Sequence, residues 1–124
     1  MSYVMVFIGG GLGAASRLLV SRIMQSYKFA FPLGAFTANV ISCIILGVLL
    51  GYFAGKPESK NLNLLLLTGF CGGFSTFSTF TAELFKLLQN GEHTAAFSYV
   101  MASVLICLFA LWLGFRLYSA LFGQ

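Results

Sequence analysis

Aspartate is absent from the 124 residues, and Glu58, Glu83 and Glu92 are the only acids. Without an Asp no Ser-His-Asp set can form. The single histidine, His93, stands beside Glu92 in the short turn "NGEH", where it reads as an exposed loop residue rather than a base. Metal-ligand spacing is missing too, so catalysis is not expected. Charge of either sign is scarce: 8% of residues against the quarter or so carried by a soluble domain. Three acidic side chains cannot clothe a water-facing surface, and with 59% hydrophobic residues the main solvent must be lipid.

The seven basic residues are scattered rather than clustered, which excludes a nucleic-acid footprint. Cys43, Cys71 and Cys107 lie in apolar stretches with neither the pairing of a disulfide framework nor the close spacing of a zinc site, and read as small packing residues. A secretory signal is not expected, because the start lacks a positive region and its apolar run is too long for a signal core.

What is present is long apolar sequence. A spanning helix needs roughly 20 apolar residues, and four stretches qualify, at about 3–24, 33–55, 62–89 and 95–120. Between them lie the turn and charge signals "QSYKFAFP", "GKPESKN" and "NGEH". The expectation is one all-α membrane domain over 1–124, since backbone polar groups in lipid must be satisfied internally. Four crossings put both termini on one side. Lys56, Lys60 and Arg116 then lie with the termini, and Arg22, Lys28 and Lys86 lie opposite, with Arg17 near them but deeper. Positive charge in excess marks the cytoplasmic side, and here it barely chooses. A chain that inserts both ways makes an antiparallel homodimer physically natural.

In the first helix Gly9, Gly11 and Ala14 match the dinucleotide pattern G-x-G-x-x-A, but no strand precedes and no acid follows at the required distance. Gly9 and Gly13 instead offer a small face for close helix approach. Arg17, deep in a spanning helix, reads either as an anion attractor near an entrance or as a side chain that snorkels or holds carbonyls. The second helix carries Thr37, Asn39 and Ser42. The hydroxyls can bond back to their own helix, whereas the Asn39 amide presents donors and an acceptor either to another helix or to something passing.

The third stretch, "GFCGGFSTFSTFTAE", concentrates glycines, hydroxyls and rings. Gly69, Gly72 and Gly73, followed by Ser75 and Thr76, make a poor continuous helix and predict a break. A break frees carbonyl oxygens in mid-membrane, where irregular backbone survives only inside protein or along a cavity, and such carbonyls serve as cation ligands. The competing reading is a simple kink. Phe74, Phe77 and Phe80 recur every third residue, as do Ser75/Ser78 and Thr76/Thr79, which on a helix puts ring edges beside a hydroxyl ladder. Phenyl edges are weakly electropositive, so edges and hydroxyl protons together can stand in for water around a small anion without trapping it. An aromatic packing stripe is the alternative. In the fourth helix Tyr99, Ser103 and Cys107, spaced i, i+4, i+8, form a mildly polar stripe able to face that ladder.

These motifs resemble the Fluc family of fluoride channels: "GGGLGAASR" its first-helix glycine-arginine motif, "PLGAFTANVISCIILG" its second-helix motif around an asparagine, and "GFCGGFSTFSTFTAE" its third-helix signature. The resemblance implies an antiparallel, dual-topology homodimer in the cell membrane (the plasma or inner membrane of a bacterium), with two pores along the subunit interface. It implies fluoride as the conducted ion, moving passively, and a structural sodium ion at the dimer centre on the carbonyls of Gly72 and Ser75. It places Phe77 and Phe80 in a ring box, Asn39 as the pore amide, Ser78, Thr79 and Ser103 on a hydroxyl track, Arg17 as the motif arginine and Glu83 as the signature's terminal acid. Ala35, Ser42, Ser75 and Cys107 depart from the residues usual in the family. The rival reading is a small multidrug-type proton-coupled exporter, which needs a buried carboxylate, usually in the first helix. That helix holds no acid here.

Overall fold

The computed structural model describes residues 1–29, 32–54, 56 and 60–123. Every regular element among them is helical: α1 (Ser2–Met24), α2 (Leu33–Phe53), α3 (residues 60–74), α4 (Phe77–Gln89) and α5 (His93–Phe122). At about 1.5 Å per residue, the 21 residues of α2 reach about 31 Å, enough for a hydrocarbon core of about 30 Å. Four segments are long and apolar enough to cross: Ser2–Met24, Leu33–Phe53, Lys60–Gln89 and His93–Phe122. The chain is a multi-pass integral membrane protein. The spans agree with the sequence expectation, except that the Gly55 end of the second, and most of the "GKPESKN" separator, lie outside the described residues.

Two helix pairs build the bundle. Its lipid-exposed surface is rich in large apolar side chains such as Phe7, Leu12, Phe97 and Phe109, so the hydrophobic effect contributes little to pairing and close packing must do it. α1 lies on α3 through glycine. A Cβ at Gly9 would sit on the Leu65 carbonyl oxygen, and one at Gly13 on that of Phe70. α2 lies on α5 in the same way, Gly47 against the Leu111 carbonyl and Gly114 against that of Ile44. Since Gly47 meets Leu111 and Phe115 while Gly51 meets Tyr118, the two helices run parallel. A small core of Phe80, Leu87, Ala96 and Tyr99, flanked by Phe36, Leu84 and Val100, ties α4 to α2 and α5.

The third span is broken, as expected, but the glycines are not where it breaks. α3 opens as an α-turn (Lys60–Asn63), widens into a π-helix (Leu64–Cys71) and ends as Gly72–Phe74. A π-helix of eight residues is long for a conformation that usually appears as a single turn. Gly72 is still helical (φ −65°, ψ −35°). The chain leaves the helix three residues later, at Ser75 (φ −72°, ψ 157°) and Thr76 (φ −151°, ψ 119°). The glycines serve contact: a Cβ at Gly73 would meet the Gly10 carbonyl, and one at Gly69 the Gly9 backbone.

The reversal after α4 is specified locally. Gly91 takes φ 75°, the left-handed region open to glycine. Its N–H bonds the Leu88 carbonyl at 3.1 Å and the Glu92 N–H bonds that of Leu87 at 2.9 Å. This pair of bonds is a Schellman closure. His93 opens α5 as an exposed residue.

Candidate pore-lining site

The break is held by a side chain from another helix. Asn39, in the middle of α2, accepts from the Thr76 N–H through Oδ1 at 2.7 Å and donates through Nδ2 to the Thr76 carbonyl at 3.2 Å. One amide thus satisfies the Thr76 N–H, which has no helical partner at the break, and adds a second bond to the carbonyl with which Thr76, as N-cap, opens α4. Ser75 completes the anchoring. Its N–H and its hydroxyl both reach the Cys71 carbonyl at 2.9 Å, and the Ser42 hydroxyl reaches the same oxygen at 3.1 Å. Ser42 therefore bonds across to α3 rather than back to its own helix.

Thr76 restarts the helix. Its Oγ1 accepts from the Thr79 N–H at 3.2 Å, an N-cap for α4, and also meets the hydroxyls of Thr79 at 3.1 Å and Ser78 at 3.3 Å. Three hydroxyls are so joined at one turn. The ladder of the sequence reading is corrected here, because the break falls between its halves. Ser75 turns back to Cys71. Phe74 is buried against Phe70, with ring centroids 5.6 Å apart, instead of continuing the stripe of Phe77 and Phe80. Residues three apart share a face only on an unbroken helix.

Beyond the break the two remaining rings diverge. Phe77 projects outward and is 77% exposed, while Phe80 is buried, with its centroid 5.8 Å from Phe77 and 5.0 Å from Tyr99. Both rings line a cavity of about 280 Å³ with Asn39, Cys43, Ser75, Thr76, Ser103, Val104 and Cys107. None of these side chains is a carboxylate, an amine, a guanidinium or an imidazole. Ser103 is 8% exposed, and its buried hydroxyl oxygen has no hydrogen-bond partner. Such a group is costly in a dry interior and points to something that visits it.

A second, wider cavity of about 580 Å³ opens at the bundle end where α1 and α4 finish and α2 begins, between Ser21, Gln25, Lys28, Thr79, Glu83 and Glu92. Tyr99, fully buried, donates to the Glu83 carboxylate at 2.7 Å. Thr79 lies in this wider cavity and Glu83 with it. Of the expected site residues, the structure thus brings Asn39, Phe77, Phe80, Ser75 and Ser103 to one cavity, and Thr79 and Glu83 to the other. Ser78 belongs to the hydroxyl cluster. Tyr99 bridges α5 to Glu83 and stands apart from Ser103 and Cys107, which face Thr76 instead of the Ser78 and Thr79 ladder. Arg17 is half-buried on α1 and lines neither cavity. Gly72 is exposed, with open space where a side chain would be. Sequence reasoning missed Cys43, which it took for packing. The signal was its place one turn after Asn39 on the same helix face.

The family described as CrcB-like protein, Camphor Resistance (CrcB), matches residues 4–115. A protein of Pyrococcus abyssi named "Fluoride-specific ion channel FluC" is 48% identical over 115 residues, 92% of this chain and 93% of the relative. "Fluoride-specific ion channel FluC 2" of Rhodococcus jostii is 44% identical over 119 residues, 96% of this chain and all of the relative. A "Fluoride-specific ion channel FluC" of Methylobacillus flagellatus is 39% identical over 118 residues, 92% of this chain and 91% of the relative. On this match along almost its whole length, and on its four crossings, the chain belongs to the CrcB family of membrane proteins, a family of ion channels and not of enzymes.

Proposed function

We propose that the chain is a fluoride-selective channel that lets cytoplasmic fluoride leave passively. The observation that carries the reading is the uncharged cavity beside the break, where two phenyl rings, an amide and an unpartnered buried serine hydroxyl converge. A dehydrating anion needs hydrogen-bond donors and positive ring edges, and it must be able to leave. A Lys or Arg in that cavity would hold it; hydroxyls and ring edges do not. Relatives over nearly the full chain carry the name of fluoride-specific channels, which supports fluoride as the anion. Fluoride is the base of a weak acid, so neutral HF enters from acidic surroundings and dissociates inside. The negative interior then drives the anion out through any selective path.

The working unit in this reading is an antiparallel homodimer of dual topology. Basic residues are nearly balanced between the two sides of the crossings, and Phe77 and Gly72 are exposed beside the break, open to a second copy. The carbonyls of Gly72 and Ser75 suit a structural sodium ion at the centre. The Thr76 N–H, which would close a helical bond onto the Gly72 carbonyl, is taken by Asn39, and the extended Ser75 turns its own carbonyl out of the helix. Hard cations take several oxygens, and one chain offers two, so a second copy would have to supply the rest. The ion would pin the two breaks together.

The test is fluoride efflux from liposomes holding the purified chain, read with a fluoride electrode in the presence of a potassium ionophore, with chloride run in parallel. Fast fluoride release without chloride leak is the expected result. Release of neither ion overturns the reading.

A further inference from the structure

Cys43 on α2 and Cys107 on α5 face each other across the helix pair, their thiols within interaction range, and both line the cavity beside the break. We propose that these two thiols form a binding site for a soft divalent metal ion of the mercuric type, set in the wall of the cavity. That the cavity is an ion path rests on the function proposed above; the metal site itself does not.

Three observations carry it. First, the thiols are held at fixed register. α2 and α5 run parallel and are in backbone contact within two turns, Gly47 on Leu111 and Gly114 on Ile44, so the two Cβ atoms keep a fixed separation and only χ1 aims each sulfur. Second, the cavity contains a further unsatisfied ligand. Ser103 precedes Cys107 by one helical turn, is 8% exposed, and its hydroxyl oxygen has no partner. Third, the donor set discriminates. Asn39, Ser75, Thr76 and Ser103 offer no carboxylate or imidazole, so hard ions are poorly served, and zinc, which takes four ligands, finds only two thiols, whereas a soft ion of linear coordination needs no more. Charge then favours the divalent state. A dication exchanging for two thiol protons gives S–M–S and two released protons, a net neutral centre, in a cavity with no charge to compensate any other product. No oxidant or reductant enters the exchange.

The experiment is a titration of the detergent-solubilised chain with mercuric chloride, followed by challenge with excess glutathione and native mass spectrometry. Expected is one mercury per chain, accompanied by the loss of two protons and retained against glutathione. Cys43→Ser and Cys107→Ser should each surrender it, while Cys71→Ser keeps it. Retention by either of the first two variants, or loss in C71S, overturns the site. In proteoliposomes mercuric chloride should stop fluoride release and dithiothreitol restore it; in C43S and C107S, whatever their untreated rate, mercury should leave that rate unaltered. Mercury held by both thiols with release continuing would overturn the placement in the ion's path. A chain that holds mercury through both thiols but never releases fluoride would uphold the site and refute the channel instead.

Discussion

Asn39 bonds both groups of the Thr76 backbone, N–H to Oδ1 at 2.7 Å and Nδ2 to carbonyl at 3.2 Å, and so replaces the helical partner that the break removes from the N–H. The pairing needs a donor and an acceptor on one planar group, which an amide provides without depending on protonation. Asn39→Ala leaves the Thr76 N–H unpaired, at a cost of about 1–3 kcal/mol when buried, and removes the second bond to its carbonyl. Asn39→Asp retains the acceptor, loses the donor and adds a charge. Both variants should lower thermal stability in detergent and abolish fluoride flux, and N39D should be the poorer folder. A fully conducting, undiminished N39D would refute the clamp.

Phe80 has two duties, because it lines the cavity and also sits in the core with Tyr99, Leu87 and Ala96. Phe80→Ile keeps an apolar side chain there but removes the ring edge and the aromatic contact at 5.0 Å, worth about 0.5–1.5 kcal/mol. The expected outcome is a chain that still purifies as the same assembly, slightly less stable, with fluoride efflux lost. Efflux that persists in F80I would remove the ring-edge mechanism.

The glycine seam between α1 and α3 makes opposite predictions for two nearby glycines of α1. A Cβ at Gly13 would collide with the Phe70 carbonyl, whereas one at Gly11 meets nothing within 4 Å. Gly13→Ala should therefore part α1 from α3 and cost about 1–3 kcal/mol or more, as overpacking does. Gly11→Ala should be neutral or stabilising by up to about 1 kcal/mol through helix propensity. Melting of the two variants side by side checks this, and equal effects would deny that α1 and α3 touch as described.

The crossings, the break and the small-residue face of α1 were legible because each follows from local composition: long apolar runs, glycines beside hydroxyls, and Gly9 spaced four from Gly13. The position of the break was not. It depends on Asn39, 37 residues away from Thr76 in sequence, reaching across from α2, and no local pattern in "GGFSTF" distinguishes Gly72 from Thr76 as the residue that leaves the helix. The same distance hid the fates of Phe74 and Ser75. A three-residue period assumes one helix, and the break put them on the other side. Ser42 and Cys43 show the complementary limit. Hydroxyl and thiol are small enough to pass for packing, and only the register of α2 on α3 and α5 reveals what each one meets.

Ser103 gives the sharpest test of site against scaffold. Its hydroxyl is buried in the cavity with no partner, so in a purely structural role it is a liability. Ser103→Ala removes an unsatisfied polar atom of nearly the same volume and breaks no bond. Stability should hold or rise, by about 1 kcal/mol or more if the desolvation penalty is recovered. If the hydroxyl instead donates to fluoride in passage, the same variant should conduct more slowly. The two measurements, detergent melting and fluoride efflux, then move in opposite directions, which no general loss of folding can produce. Efflux and melting both unchanged would assign Ser103 to neither role and return the cavity's polar contribution to Asn39 and Thr76.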